Sequence, residues 1–487
     1  MLKPENRNSF AIAGPCHARE NVRIVAGLPF RSAAFYASAF AVAFFFYSVI
    51  WSNAPIAVSD TGTYFGLAQE LSNFHITQLH YRTPGYPLLL VLTGASRSPR
   101  TLFFVSLVLH FAAIWLLGVV LYHAGLSEMK LKLFSLILLL PPFVEPAGYI
   151  LSENLTEAML VTAFVSFISW HMNKRLIWIL ISAASIGCAA LTRPTYQVLA
   201  LAVASWLVMA RFLLLNALSR WRDVAAASLI LIAGSILIVG GYAYFNYRSF
   251  GYFGITPILG LSLSQKTVHV IDRLPDEYAP IREILIKTRN AEMLASRYYV
   301  GYIAKAIPEL TAKTGLDWAR LSNYMLKLDL ILIQKAPLTY LLEVIRAFAA
   351  YCFPSSRELA NFGSRSLQFV WAVLHFVLMG GFVFNLILLV GATAFIKRCG
   401  RFVKQRNSFF NGDRSLIRFQ AFLYGSAGTI VLYTAAISSL IDAGDPRHRI
   451  PTDVIIVFML FLGTHLWPRL VDLSTTALER TQTGAES

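Results

Sequence analysis

Long apolar runs recur from near the start of this chain to near its end, and they constrain its fold more than any other feature. A helix that crosses a bilayer needs about 20 mostly apolar residues. Stretches 33–51, 102–122, 131–144, 155–170, 176–191, 198–215, 224–245, 367–396, 419–441 and 450–467 read as such crossings, several of them short or interrupted by Pro, Glu or Gly. The expected fold class is therefore all-α and polytopic, with about ten transmembrane helices. A soluble nucleic-acid-binding protein is excluded, because it would have to hide all of these runs. Composition agrees: 56% of the 487 residues are apolar or aromatic and 14% are charged, against about 25% charged in an ordinary soluble domain. With 35 Phe, 21 Tyr and 9 Trp the chain is not a disordered one. Its four cysteines (Cys16, Cys188, Cys352, Cys399) are scattered without a CxxC, so they imply neither a disulfide framework nor a zinc site.

The 42 Lys and Arg exceed the 26 Asp and Glu, for a net charge of +16. Partitioned over ten alternating spans, 21 basic and 8 acidic residues fall on one side, against 21 basic and 18 acidic on the other. Positive residues collect on the cytoplasmic side of membrane proteins. The basic tail and the short loops with Lys174-Arg175, Arg220 and Arg222, and 397–406 are therefore cytoplasmic, and both termini lie there. The tail is too long and polar for a cleaved signal, so 33–51 reads as an anchor. Five regions follow: a cytoplasmic tail (1–32), an N-terminal transmembrane module (33–245) with an outer loop at 52–101, a long outer segment (246–366), C-terminal transmembrane helices (367–467) and a cytoplasmic tail (468–487). Outer segments of this size need structure of their own, and 283–304 and 316–333 are amphipathic, which suggests juxtamembrane helices. Stretch 337–353 reads as another such helix, a re-entrant one, or an eleventh span.

Charge at membrane depth is costly and marks function by default. Asp60 lies in VSDTGTYFGLAQEL just past the first run, and Arg82 in HYRTPGYPLLL where the chain re-enters the membrane. Glu145 and Glu153 lie in PPFVEPAGYILSENLTEAM, Arg193 in LTRPT, and Asp445, Arg447, His448 and Arg449 in DAGDPRHRIP. Topology counting puts all of them on the outer face. Each also has a plainer explanation: a helix cap for Asp60 or Glu153, an arginine reaching to headgroups for Arg82 or Arg193, a lipid-binding surface turn for 447–449. Glu157, one turn after Glu153, is a possible partner for it, and His110 and His171 read as structural. No Walker loop or dinucleotide motif is present.

The ordered set SDTGTYFGLAQEL, RTPGYPLLL, ILSENLTEAML, ALTRPTY, FNYRSFGYFGITPILG and PRHRIPTDVII resembles the membrane glycosyltransferases of the GT-C class. It is most similar to bacterial relatives of protein mannosyltransferases and aminoarabinose transferases, and the similarity runs from about 33 to 467. The resemblance implies an inverting enzyme that takes a sugar from a polyprenyl-phosphate donor outside the membrane. Asp60 matches the family's catalytic acid position and takes the role of general base. Many relatives carry Asp-Glu there, whereas this chain has Asp60-Thr61, which removes one metal or acceptor ligand. Arg82 is the foremost phosphate binder, with help from His80 and Tyr81. Arg193, Lys266, Arg447, His448 and Arg449 are further donor-binding candidates, and Glu153 a second catalytic carboxylate.

The implied partners are the lipid-linked sugar, a lipid, glycan or protein acceptor, and the bilayer, with no nucleic acid. No cofactor is required; a divalent cation is compatible with the acidic residues but not demanded by their spacing. The implied location is the bacterial inner membrane, with the active site periplasmic. Two alternatives remain at this stage. One is a ligase or polymerase of polyprenyl-linked glycans, to which His448 between two arginines points. The other is a lipid or glycan flippase, although the chain shows no inverted pair of broken spans.

Overall fold

A computed structural model describes residues 28–50, 55–214, 220–296, 301–355, 358–359, 363–403, 411–442 and 444–483. The basic tail before the first helix and parts of the basic loops lie outside the described residues. Among the described residues the chain is all-α, and an isolated parallel bridge between Ile56 and Tyr149 supplies its extended pairing. In chain order α1 (Phe30–Ile50), α2 (Thr61–Ser72), α3 (Gly85–Leu92), α4 (Pro99–His123), α5 (Glu128–Leu138) and α6 (Pro141–Val144) precede the pair α7 (Glu153–Asn173) and α8 (Leu176–Thr192). Then come α9 (Leu199–Leu213), α10 (Trp221–Phe250), α11 (Leu259–Thr267), α12 (Ala279–Ser296), α13 (Tyr302–Thr314) and α14 (Trp318–Lys335). The chain continues through α15 (Pro337–Cys352), α16 (Arg365–Val403), α17 (Asn411–Ile441) and α18 (Ile450–Thr483).

Eight stretches among the described residues are long and apolar enough to cross a membrane: Arg31–Val49, Pro99–His123, Glu153–Asn173, Pro194–Leu213, Trp221–Phe250, Arg365–Phe384, Leu416–Ile441 and Ile450–Arg469. The protein is an integral membrane protein. Two of the ten sequence runs take other forms. Run 131–144 is split between α5 and Pro141–Gly148, which meet at 64°. Pro141 and Pro142 sit at the break and open the second piece, since proline lacks an N–H and cannot continue the preceding helix. Run 176–191 is the shorter apolar helix α8. Helix α15 has 16 residues, a rise of about 24 Å, short of the roughly 30 Å hydrocarbon core. It packs along α17 and leaves Leu338, Leu342 and Ile345 exposed.

Helix α7 is the centre of the bundle and is buried around nearly its whole circumference, against α4, α8, α17 and α18. Close packing in lipid favours small residues and interhelical hydrogen bonds. Here Ser182 Oγ donates to the Ala163 carbonyl at 2.9 Å, and Ser235 Oγ to the Ala183 carbonyl at 3.1 Å. Helices α1, α10 and α16 instead expose Val42, Phe45, Leu237, Phe369 and Val377, surfaces that suit lipid. The amphipathic helices α11 to α14 turn their apolar stripes toward one another, and Val268, Ile271, Leu285, Tyr302, Leu321 and Leu328 form a core of their own. Gly260 is required there: a Cβ would collide with the Ser322 carbonyl of α14.

Candidate functional site

The segment after α1 is tied to the turn before α7 by two backbone bonds, Ile56 N to Gly148 O at 2.8 Å and Ile150 N to Ile56 O at 3.1 Å. This small clasp brings Asp60 and Glu153 to the same end of the bundle. Asp60 precedes α2, yet its side chain makes no capping bond. Thr61 and Thr63 occupy the local backbone instead: Val58 N donates to Thr61 Oγ1 at 2.8 Å and Thr63 Oγ1 donates to the Asp60 carbonyl at 2.7 Å. The carboxylate is thus released from a capping role and faces Arg82 and Arg447.

Arg82 is fixed from several directions. Its Nη2 lies 2.5 Å from Asp60 Oδ1, its Nε donates to Thr63 Oγ1 at 3.1 Å, and its guanidinium lies over the rings of Tyr64 (4.7 Å) and Tyr81 (5.0 Å). Cation–π contact and a bidentate fork orient a guanidinium as an ammonium cannot be oriented. This geometry replaces the headgroup-anchor reading. The following RTPGYP turn sits tightly on the end of α8, where a Cβ on Gly85 would meet Leu191 O at 2.7 Å and Thr192 Oγ1 at 2.6 Å. That contact brings the Arg82 and Arg193 segments side by side. Arg193 precedes Pro194, which forces it out of the helix; its φ of −139° and ψ of 118° end α8.

The turn Pro446–His448 is a 3-10 helix capped by Asp445, whose side chain accepts from Arg447 N at 2.9 Å. Three residues per turn send successive side chains in three directions. Arg447 reaches Asp60 Oδ2 at 2.8 Å and also bonds Glu153 Oε1 through Nε. His448 bridges Arg193 Nη2 and Asp442 Oδ2, each at 2.9 Å. Arg193 Nη1 lies 3.1 Å from Glu153 Oε1. One chain of charge results, running Arg82, Asp60, Arg447, Glu153, Arg193, His448, Asp442. Glu153 is fully buried, and its second oxygen has no hydrogen-bond partner. Burial tends to raise the Asp60 carboxyl, but the guanidinium groups of Arg82 and Arg447 outweigh it and hold it below the ordinary aspartate value.

Of the sequence candidates, Asp60, Arg82, Tyr81, Glu153, Arg193, Arg447 and His448 meet here. Arg449 does not. Its guanidinium is buried on Glu358 (2.6 Å) and Asp453 (2.7 Å) and donates to the carbonyls of Tyr351 and Phe353. Lys266 donates to the Glu343 carbonyl at 3.1 Å and faces Asp442 at the edge of the cluster. His80 binds Glu70 at 3.0 Å rather than turning toward Arg82. Glu157 pairs with His110 at 2.8 Å, so it is not the partner of Glu153. Glu145 is buried in the turn Glu145–Gly148. Sequence reasoning missed Asp442, Thr63 and Tyr64; an acid just past the end of a span, six residues before His448, was the available signal for Asp442. Among the described residues no group of three or more His, Cys, Asp or Glu is arranged to hold a metal ion.

No family model matches the chain, and no curated protein sequence matches it. Among solved structures it aligns with the archaeal oligosaccharyltransferase AglB from Archaeoglobus fulgidus, determined in complex with an inhibitory peptide and a dolichol-phosphate. The identity is 13%, the TM-score 0.47, and the alignment covers 94% of this chain and 52% of that one. The chain thus spans about half the length of that protein.

Proposed function

We propose that the chain is an inverting GT-C-type glycosyltransferase that moves a sugar from a polyprenyl-phosphate donor to an acceptor hydroxyl at the extracytoplasmic face. The observation that carries this reading is a partly open carboxylate, Asp60, held ionised between two oriented guanidinium groups. Asp60 takes the proton of the acceptor hydroxyl as its oxygen attacks C1 of the sugar. The bond from C1 to the phosphate oxygen breaks, and the electron pair stays on the phosphate. Arg82, Arg447 and Arg193 bind that phosphate and stabilise its developing charge. Phosphate competes with Asp60 for the same guanidinium groups. Donor binding therefore weakens the pull that depresses the Asp60 carboxyl, and the base becomes stronger when a donor is present. Glu153, buried behind Arg447 and Arg193, holds both arginines toward the site. Arg449 is turned into a separate buried network and takes no part in this site.

The test is incubation of the purified chain in detergent or nanodiscs with a panel of polyprenyl-phosphate sugars, following release of polyprenyl phosphate. Turnover of at least one donor is expected. Absence of turnover across the panel, with pyrophosphate-linked donors accepted, would replace this reading with the ligase one.

A further inference from the structure

The contacts of His448 match one tautomer of the neutral ring. Arginine only donates hydrogen bonds, so Nδ1, 2.9 Å from Arg193 Nη2, must be an unprotonated acceptor. The proton of the neutral ring then sits on Nε2 and is donated to Asp442 Oδ2 at 2.9 Å. With His448 neutral, the carboxylates of Asp60, Glu153 and Asp442 balance the guanidinium groups of Arg82, Arg193 and Arg447 within the chain. An anionic ligand upsets that balance, and a proton on Nδ1 of the imidazole would restore it.

We propose that His448, oriented by Asp442, is a proton-linked part of the donor phosphate site: when phosphate draws Arg193 away, Nδ1 takes a proton from solvent and donates it as a hydrogen bond to the phosphate. This rests on the reading of the site as one for a polyprenyl phosphate. One proton is taken up for each phosphate bound, and the Nε2–H bond to Asp442 is kept throughout. Asp442 is a positioning residue, because it presents Nδ1 rather than Nε2 to Arg193. After transfer, the product phosphate carries one more negative charge than the diester, and the imidazolium faces that charge.

Other charged groups surround the ring and bear on its titration. Arg447 and Arg449 lie on its own turn, with Asp445 at the cap. Arg449 is neutralised by Glu358 and Asp453, the latter on α18. Helix α15, packed on the turn, carries Glu343 and Arg346, which pair with each other at 2.5 Å. Lys266 on α11 faces Asp442 and Glu343, and burial lowers its ammonium to about 8.

The experiment measures affinity for a polyprenyl methyl phosphate, a diester with no ionisation of its own near neutrality, between about pH 8 and about pH 6. With one proton taken up per phosphate, affinity is expected to rise by up to about a hundredfold as pH falls across this range. Asp442→Asn should reduce that dependence, and His448→Gln should abolish it. Nitrogen NMR of ¹⁵N-histidine-labelled protein, with the signal assigned by its loss in His448→Gln, should show an unprotonated Nδ1 without ligand and two protonated nitrogens with it. Binding that is flat with pH, or a ring protonated at Nδ1 without ligand, overturns the proton linkage alone. No binding by any variant at any pH overturns the donor-site reading as well.

Discussion

Arg447 and Arg449 are two residues apart and each pairs with two carboxylates, yet their surroundings teach opposite lessons. The Arg447 side chain is 18% exposed and its partner Asp60 21%, while Arg449 and Glu358 are 1% and 3% exposed. Around Arg449, two carboxylates and two carbonyls take up the guanidinium, so the network is closed and joins the α15 end and the following segment to α18. Around Arg447 the cluster is open to water on one side, and one buried oxygen of Glu153 lacks a hydrogen bond. A closed ion network holds helices together, whereas an open one keeps donors available for a ligand. That difference separates the candidate site from a second cluster of the same composition.

Substitutions that exchange the two behaviours sharpen the comparison. Arg449→Met leaves the buried Glu358 without its cation, and removing one partner of a buried pair costs about 3–5 kcal/mol. Differential scanning should show a large fall in unfolding temperature, with activity per folded molecule retained. Arg447→Met should show the reverse, with a smaller change in unfolding temperature because Arg193 still pairs with Glu153, and donor affinity reduced about tenfold or more. Equal thermal effects from the two variants would erase the distinction. Arg82→Lys comes next, because it keeps the charge but loses the fork and the stacking on Tyr64 and Tyr81. A weakening of donor affinity of about 1–2 kcal/mol is expected in a binding titration.

The smallest effect is on pH dependence. Asp60 is depressed by Arg82 and Arg447 against the opposing effect of burial, so its charge is present above the ordinary carboxylate range and lost as pH falls through the depressed value. The acid limb of kcat/KM, which reports the free enzyme, should therefore lie below the ordinary aspartate range. In Arg82→Ala one of the two depressing cations is gone, so that limb should move to higher pH. A limb unchanged by this substitution would separate Arg82 from the base.

Much of the architecture is legible in the sequence, because lipid imposes length and apolarity on every crossing helix. The ten apolar runs form helices among the described residues, one of them broken, and Asp60, Arg82, Glu153, Arg193, Arg447 and His448 are brought together at one end of the bundle. What stays illegible is set by local backbone geometry. DPRHRIP gives no reason to point Arg447 and His448 into the site and Arg449 away; the 3-10 turn capped by Asp445 decides it. Pairing of Glu157 with His110 rather than Glu153 depends on where α4 crosses α7, which helical periodicity alone does not reveal. Asp60 was ambiguous for a related reason. A capping residue and a catalytic one have the same sequence signature, and what separates them is that Thr61 and Thr63 satisfy the local backbone while Asp60 turns away.

The central claim is that Asp60 is the base and not a structural anchor for two arginines. Asp60→Asn preserves the shape of the side chain and removes its negative charge. Turnover and donor affinity measured on this one variant test the claim directly. A loss of about 10²–10⁴-fold in kcat is expected, the usual range for a general base, with donor affinity unchanged or improved as the two guanidinium groups are freed. Retained turnover, or a loss confined to donor binding, would contradict it.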